Sequence, residues 1–264
     1  MLVILLLILG LACGSFVSAL TWRIHDNKNW VTGRSECLSC GHKLAPQDLI
    51  PVFSWLMLRG RCRYCKQPIS KQEPLIEILS AAWFVGSYLF WPLSLNAPGQ
   101  KIVFASWLLT SVGLLALLVY DRRWMILPTK IIYSSLFFAA LGRLIYIVGY
   151  SPAKSHAALD WLLSILVASG IFFIIHEISK GQWIGFGDVR LGLVTGTVLA
   201  AADKSFLMIF IASALGTLFF LLTRIKTKEA FNSRLPYGPF LIIATALSLL
   251  FGTRLIDWYT GLFS

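Results

Sequence analysis

Long apolar runs constrain the fold of this chain more than any other feature of its sequence. A helix that crosses a bilayer needs about 20 mostly apolar residues. Eight runs approach or reach this length, at residues 2–20, 75–91, 102–120, 129–149, 159–178, 189–202, 205–223 and 237–254. The sixth run is short and is interrupted by Gly192 and Gly196, so it is the weakest of the eight. The runs predict an all-α polytopic membrane protein with about eight transmembrane helices.

The composition also favours a membrane protein over a soluble one. Hydrophobic residues make up 57% of the chain and charged residues 13%, whereas soluble domains have about 45–50% and about 25%. The first run has no basic residue before it, and Arg23 and Lys28 follow it. A signal peptide shows the opposite order. We therefore expect residues 1–20 to form a retained first helix with its N-terminus outside.

The distribution of lysine and arginine predicts the orientation of the helices. If residues 21–74 are cytoplasmic, 18 of the 23 basic residues fall in the inside segments, which are 21–74, 121–130, 179–190 and 224–235. The outer segments hold only Lys101, Lys154, Lys204 and Arg254, and Arg143 falls within the fourth run. This asymmetry is typical of the positive-inside rule. We interpret the net charge of +11 as topology signals and contacts with anionic lipid, and not as a nucleic-acid surface.

Residues 21–74 form a hydrophilic insert that contains two Cys-x-x-Cys pairs. The pairs are Cys37 with Cys40 and Cys62 with Cys65, and 21 residues separate them. This spacing is typical of zinc ribbons, in which four thiolates complete a tetrahedral shell. Disulfides are the competing interpretation, but a reducing cytoplasmic face disfavours them. The sequence predicts a structural zinc ion in a small zinc-ribbon-like domain, since a closed four-cysteine shell has no open position for catalysis.

Four acidic residues in or beside the apolar runs are candidate functional groups, because ionisable groups are rare there and usually functional. Asp121 ends the third run, and Asp188 precedes the sixth in the segment Gly185-Phe186-Gly187-Asp188. The predicted topology places both at the cytoplasmic ends of their helices, although they are 67 positions apart. Glu177 is interpreted as an interfacial acid near Lys180. Glu77, beside the insert, is a candidate for binding a ligand.

Two carboxyl groups at one membrane depth suit aspartyl proteolysis. Such groups share one proton, so that one acts as general base on water and the other as general acid. Three other interpretations stay open at this point. Asp121 can pair with Arg122 or Arg123, Asp188 can be the N-cap of its helix, and intramembrane acids also serve proton relays in transporters.

Several short motifs follow one another from about residue 10 to residue 245. They are Gly14-Ser15-Phe16-Val17 ending in Arg23, the two cysteine pairs around 50–56 and 58–62, Ile69-Ser70, Pro74-Leu75-Ile76-Glu77, the Asp121 segment, 185–191 and Pro236-Tyr237-Gly238-Pro239-Phe240. This ordered set resembles the type IV prepilin peptidase family, also called prepilin leader peptidase/N-methyltransferase, which consists of GxGD-type membrane aspartyl proteases. Three positions depart from the usual pattern of that family: Glu73 replaces a common aromatic residue, Thr129 a common Asp, and Arg190 a frequent Lys.

The resemblance implies an eight-helix enzyme of the bacterial inner membrane in which Asp121 and Asp188 are catalytic. Its substrates would be prepilins or pseudopilins, whose basic leader ends in glycine before a hydrophobic helix. It also implies methylation of the new N-terminus with S-adenosylmethionine, a reaction associated with the zinc-bearing domain. The expected division is a first helix at 1–20, this domain at 21–74, and a peptidase domain at 75–264. A peptidase without methyltransferase activity and a proton-coupled transporter are the alternatives, and the oligomeric state is not predicted.

Overall fold

The structure is a computed structural model, and it describes residues 1–29, 33–227 and 236–262, with the backbone alone over 223–227. Within these ranges the chain forms α-helices connected by short turns, two isolated β-bridges and no strand. The helices are α1 (Leu2–His25), α2 (Phe53–Met57), α3 (Gln72–Leu89), α4 (Pro98–Trp124), α5 (Thr129–Gly149), α6 (Lys154–Ser179), α7 (Phe186–Leu199), α8 (Ala202–Thr227) and α9 (Gly238–Gly261), and a 3₁₀ helix covers Pro46–Leu49.

The multi-pass helical fold predicted from the apolar runs is confirmed. Each of the eight runs corresponds to a helix, and α2 is an additional short helix within the insert. Among the residues that the structure describes, six helices are long and apolar enough to cross a membrane, namely α1, α4, α5, α6, α8 and α9. The remaining two, α3 and α7, are shorter or more polar. With 14 residues, α7 spans about 21 Å, less than the roughly 30 Å of a hydrocarbon core.

The chain divides into two compact units, Met1–Leu89 and Phe90–Ser264. In the first unit, α1 packs along α3 through two glycines one helical turn apart. A Cβ atom on Gly10 would lie 2.6 Å from Cα of Ala81, and one on Gly14 would lie 2.5 Å from Cα of Glu77. Small residues at this spacing let two helix backbones approach closely inside a membrane. Gly14, which belongs to one of the sequence motifs, is therefore a packing position.

The insert of the first unit is organised around Trp55 and Gly60. The indole N–H of Trp55 donates to the carbonyl of Ile69, and the amide of Gly60 donates to the carbonyl of Trp55. Gly60 has a φ of +68°, and a Cβ atom there would lie 2.8 Å from the Trp55 ring. Only glycine combines this backbone conformation with this lack of space. The motif residues around the second cysteine pair thus shape the loop that carries it.

In the second unit, α7 is surrounded by α5, α6, α8 and α9, which explains how a short helix can be stably placed. It meets α6 through Gly192 and Gly196. A Cβ atom on Gly192 would lie 2.6 Å from the carbonyl oxygen of Ala168, and one on Gly196 would lie 2.8 Å from Cα of Ile165. The hydroxyl of Ser164 donates to the carbonyl of Gly196 at 2.8 Å. The sixth run, the weakest of the eight, thus forms a continuous helix, and the two glycines that interrupt its apolar sequence serve close packing.

The outer faces of the long helices are apolar, as a lipid-facing surface requires. Phe137 on α5, Leu162 on α6 and Phe210 on α8 each have at least 60% of their surface exposed. Of the four segments predicted to lie inside, 224–235 falls largely outside the described residues, so its basic side chains carry no structural statement.

Replacing Gly192 by alanine should destabilise the second unit. The added methyl group must displace the backbone of α6, and overpacking of this kind costs about 1–3 kcal/mol. Thermal unfolding of the purified protein in detergent would measure the loss as a fall in Tm of about 2–4 °C per kcal/mol.

Gly170→Ala on α6 is the matched control for this substitution. A Cβ atom there would have only an ordinary contact, 3.7 Å from a methyl group of Leu166. Alanine is also the better helix former by about 1 kcal/mol. The control should be neutral or stabilising, and an equal loss in both variants would contradict close packing at Gly192.

Candidate functional site

The four cysteines of the insert converge into one cluster. All four Sγ atoms lie within 4.8 Å of one another, and those of Cys37 and Cys65 are 3.8 Å apart. A tetrahedral zinc ion with Zn–S bonds of about 2.3 Å separates its sulfurs by about 3.8 Å, whereas a disulfide requires about 2.05 Å. The cysteines are free thiols here. The cluster therefore fits a four-thiolate metal site and does not fit disulfides.

Two equivalent backbone loops present these thiols. After Cys37 the chain turns back so that the Gly41 amide donates to the Cys37 carbonyl, and after Cys62 the Lys66 amide does the same. Gly41 and Lys66 occupy corresponding positions with φ of +69° and +61°. The equivalence of the loops confirms a zinc-ribbon-like arrangement. The sequence gives no signal for the left-handed backbone at Lys66, because lysine, unlike glycine, rarely adopts it.

The charge state of the thiols favours a bound cation. Burial raises the pKa of Cys37, but backbone amides of Cys40 and Ser39 and the neighbouring thiols outweigh it and lower that pKa to about 6. The Gln67 amide favours the Cys65 thiolate, but burial and the surrounding sulfurs raise the pKa of Cys65 to about 11. Ionisation of one thiol is therefore favourable, whereas four neighbouring thiolates repel one another unless a cation lies between them.

Asp48 ties the two halves of the insert together beside the cluster. Its carboxylate accepts from the Arg63 guanidinium at 2.6 Å, the Tyr64 hydroxyl at 3.2 Å and the Ala45 amide at 3.2 Å. Burial alone would raise the pKa of Asp48, but these donors hold it below its ordinary value. Arg63 lies inside the second Cys-x-x-Cys pair, so the contact fixes that loop.

Glu77, the candidate ligand-binding acid, is buried and makes a structural contact within the first unit. It is 9% exposed, and its carboxylate accepts the amide of Val52 at 2.6 Å and the hydroxyl of Ser15. Val52 has a φ of +60°, which is rare for a β-branched residue. The Phe53 amide donates to the Pro51 carbonyl and closes a three-residue turn around it. Glu77 thus holds a strained turn, and its role toward a cofactor stays a prediction.

Asp121 is a buried carboxylate at the end of α4. It is 5% exposed and lies three residues before the end of the helix, where the Met125 amide donates to its carbonyl. Its side chain accepts the backbone amide of Gly238, the first residue of α9. A Cβ atom on Gly238 would lie 2.7 Å from an Oδ atom of Asp121. Residue 238 must therefore be glycine for the Asp121 carboxylate to keep this position.

Asp188 lies in the first turn of α7, whose N-cap residue is Gly185. The alternative that Asp188 is the N-cap is therefore wrong by three positions. Its carboxylate accepts the amide of Gly185. Gly187 faces Leu127, which follows α4, and a Cβ atom on Gly187 would lie 3.2 Å from the Leu127 side chain. The same Leu127 side chain lies 3.4 Å from the place of a Cβ atom on Gly238.

These contacts bring the two aspartates into one neighbourhood. Leu127 touches the glycine beside Asp188 and the glycine bonded to Asp121, and the two carboxylates are close enough to interact electrostatically. Tyr237 belongs to the same group, since Asp188 acts on it and its hydroxyl is 3.4 Å from that of Ser213. The expected convergence of side chains 67 positions apart is present. Glu177, in contrast, is exposed on α6.

Two residues that depart from the common family pattern contact each other near this neighbourhood. The guanidinium of Arg190 donates to the hydroxyl of Thr129 at 2.9 Å and lies over the Phe186 ring. Thr129 opens α5 and Arg190 follows Asp188 by two residues. The bond links α5 to α7, so the two departures from the family pattern occur at residues in direct contact. Sequence reasoning treated them separately, because nothing along the chain signals a contact over 61 positions.

Comparisons with known proteins agree with both halves of this arrangement. The Bacterial Peptidase A24 N-terminal domain matches residues 8–91, and the Type IV leader peptidase family matches residues 108–221. The chain is 30% identical to the prepilin leader peptidase/N-methyltransferase of Bacillus subtilis over 97% of its own length and 96% of the relative's. For the proteins of that name from Aeromonas hydrophila and Pseudomonas aeruginosa, identity is 31% over 88% and 76%, and 25% over 96% and 91%. No solved structure matches.

The cysteine cluster falls within the first matched domain, and Asp121 and Asp188 fall within the second. With relatives at 30% identity and above that are covered over most of their length, this chain belongs to the type IV leader peptidase family.

Proposed function

We propose that this chain is a bifunctional membrane enzyme that cleaves the leader from prepilins or pseudopilins and methylates the new N-terminus. One observation carries the proposal: Asp121 from α4 and Asp188 from α7 converge in a membrane protein of the leader peptidase family. The substrate class comes from the names of the relatives. The excess of basic residues in the inside segments favours a cytoplasmic location for this end of the helices.

The proposed mechanism is hydrolysis by a carboxylate dyad. The two acids share one proton, because two neighbouring negative charges are unfavourable in a poorly solvated place. The ionised carboxylate removes a proton from a water molecule, which attacks the carbonyl carbon of the scissile peptide. The protonated carboxyl group donates a hydrogen bond to that carbonyl oxygen and then a proton to the leaving amine. The pair titrates as a unit, so the two roles belong to the dyad.

Glycines around the dyad let neighbouring groups pack closely against it. Gly187 and Gly238 carry no side chain, and both face Leu127. The space that a side chain would fill at these two positions is taken by Leu127 and, at Gly238, also by the Asp121 carboxylate. The Gly238 amide, already bonded to Asp121, holds that carboxylate in place.

The four-cysteine cluster holds zinc in a structural role in this proposal. Cys37, Cys40, Cys62 and Cys65 supply four thiolates, which leaves no open coordination position. The insert has few buried apolar side chains, and a metal that binds only the folded state contributes folding free energy.

The methyl-transfer half rests on the names of the relatives. Nothing in the described residues marks a pocket for S-adenosylmethionine, and the Glu77 carboxylate is already bonded to Val52 and Ser15. The comparisons favour neither of the alternatives, a peptidase without methyltransferase activity and a proton-coupled transporter.

Replacing either Asp121 or Asp188 by asparagine should abolish leader cleavage. An amide cannot take up or donate the shared proton, and general acid–base groups contribute about 10²–10⁴-fold to rates. Cleavage of a purified prepilin in detergent, followed by the gel shift of the shortened product, would measure this. Glu177→Gln is the control. Glu177 is an exposed acid in the last turn of α6, and this variant should cleave the prepilin at the normal rate. Processing at the normal rate by either asparagine variant would refute the dyad.

The processed substrate should carry one added methyl group at its N-terminus. Mass spectrometry of the product, formed with and without S-adenosylmethionine, would detect the increase by one CH₂ unit. Complete cleavage with no mass increase would support the peptidase-only alternative and leave the aspartate mechanism intact.

The purified protein should contain about one zinc ion per chain, as the four-thiolate count requires. Metal analysis would measure it, and Cys40→Ser should reduce both the zinc content and the protease resistance of the insert. Cys13→Ser is the matched control, because Cys13 lies on α1 and is not part of the cluster. An insert that remains protease-resistant after chelation would contradict the structural role.

A further inference from the structure

A small cavity with a mostly apolar lining and a few polar side chains lies inside the second unit, away from the two aspartates. It is bounded by α4, α5, α7 and α9 and by Trp91, and its polar lining includes Arg143, Thr197, Ser106 and Thr110. The cavity has a volume of about 20 Å³, measured as the space open to the centre of a water-sized sphere. A single water needs about 10–15 Å³ by this measure, so the cavity has room for one or two small particles.

Three polar atoms of the lining have no hydrogen-bond partner among the described residues. They are Nε of Arg143, Nε1 of Trp91 and Oγ1 of Thr197, and all three are shielded from solvent. Thr197 is 2% exposed as a residue. Buried polar side chains almost always have a partner. Three unpartnered atoms around one cavity therefore point to a bound species that accepts hydrogen bonds.

The remaining hydroxyls of the lining do not fill this role. Ser106 donates to the carbonyl of Val103, and Thr110 donates to the carbonyl of Ser106, both within their own helix α4. Threonine in a helix usually makes such a bond, but Thr197 does not. Its hydroxyl is thus available as a further donor toward the cavity.

The charge of the site is positive. The Arg143 guanidinium donates one bond, from Nη2 to the carbonyl of Ala200 at 3.3 Å, and lies over the Tyr146 ring. Within the part of the chain that the structure describes, no acidic residue lines the cavity. The nearest charged groups that act on Arg143 are Asp160, which is exposed, and Lys204, which carries a second positive charge. A guanidinium within a membrane span requires a negative partner or many hydrogen bonds.

We propose that this cavity binds a small monovalent inorganic anion of the halide class, held by Arg143, Trp91 and Thr197. An anion accepts from all three donors at once and neutralises the guanidinium, whereas a water molecule supplies no charge. The free space suits one atom or a few, and excludes a phosphate headgroup with its five heavy atoms. The site binds the anion and takes no part in the proposed peptide hydrolysis.

The cavity is separate from the aspartate dyad. Thr197 lies nine residues beyond Asp188 on α7, and Thr110 lies eleven residues before Asp121 on α4. At 1.5 Å per residue these separations are about 14 Å and about 16 Å along the helix axes. Substitutions in the cavity should therefore leave leader cleavage close to normal, which separates this proposal from the proposed function.

Exchange of chloride for gluconate at constant ionic strength tests the proposal on the full-length protein in detergent. A ligand that binds only the folded state raises Tm, and we expect a Tm higher by about 2 °C or more in chloride. Arg143→Met, Trp91→Phe and Thr197→Val should each lose at least half of this difference. Should Arg143→Met fail to fold, the two milder variants still decide the question.

Trp161→Phe is the matched control. The Nε1 atom of Trp161 is also buried without a partner, but Trp161 does not line the cavity. This variant should respond to chloride as the wild type does. Anomalous scattering from crystals grown in bromide should show one peak within hydrogen-bond distance of Arg143 Nε. An equal chloride response in all variants, or a crystal with only water in the cavity, would overturn the proposal.

Discussion

The close approach of α7 to α6 at Gly192 and Gly196 determines where the short helix stands, and with it Asp188. A 14-residue helix cannot cross a bilayer unaided, so packing against its neighbours has to position it. Between helices in lipid the hydrophobic effect contributes little, and packing of small residues together with interhelical hydrogen bonds must replace it. The hydrogen bonds from Ser164 to Gly196 and from Arg190 to Thr129 are two such interhelical bonds.

Close packing that only glycine permits also occurs at the candidate active site. Gly238 lets the backbone of α9 reach the Asp121 carboxylate, and Gly187 lets α7 reach Leu127. In the first unit, Gly10 and Gly14 let α1 reach α3. Polar chemistry in this protein thus depends on backbone groups that come close enough to bind a carboxylate directly, because side-chain partners are few inside a membrane protein.

The sequence predicted the helical membrane fold and the convergence of four cysteines and two aspartates, since these follow from run length, spacing and helix direction. It did not predict the role of Gly192 and Gly196 in α7, because a glycine in a helix is locally unfavourable and only tertiary packing explains it. The left-handed Lys66 and the bond between Arg190 and Thr129 were also missed. The cavity around Arg143 could not be foreseen, since its lining comes from segments far apart in the chain. The catalytic roles of Asp121 and Asp188 and the domain boundary at residue 75 stay predictions.

The contact between Glu77 and Val52 has a mechanical consequence for the insert. The chain enters α3 at Gln72, and five residues later the Glu77 carboxylate grips the turn at Val52. The cysteine-bearing loops are thus attached to α3 at two nearby points, by the peptide chain at Gln72 and by the hydrogen bond at Glu77. Two attachments this close together restrict rotation of the loops about α3. The turn at Val52 is strained by about 1–3 kcal/mol, and the hydrogen bond to Glu77 helps to hold it in this conformation. A displacement of α3 is therefore passed through Glu77 and Val52 to the loops that carry the four cysteines.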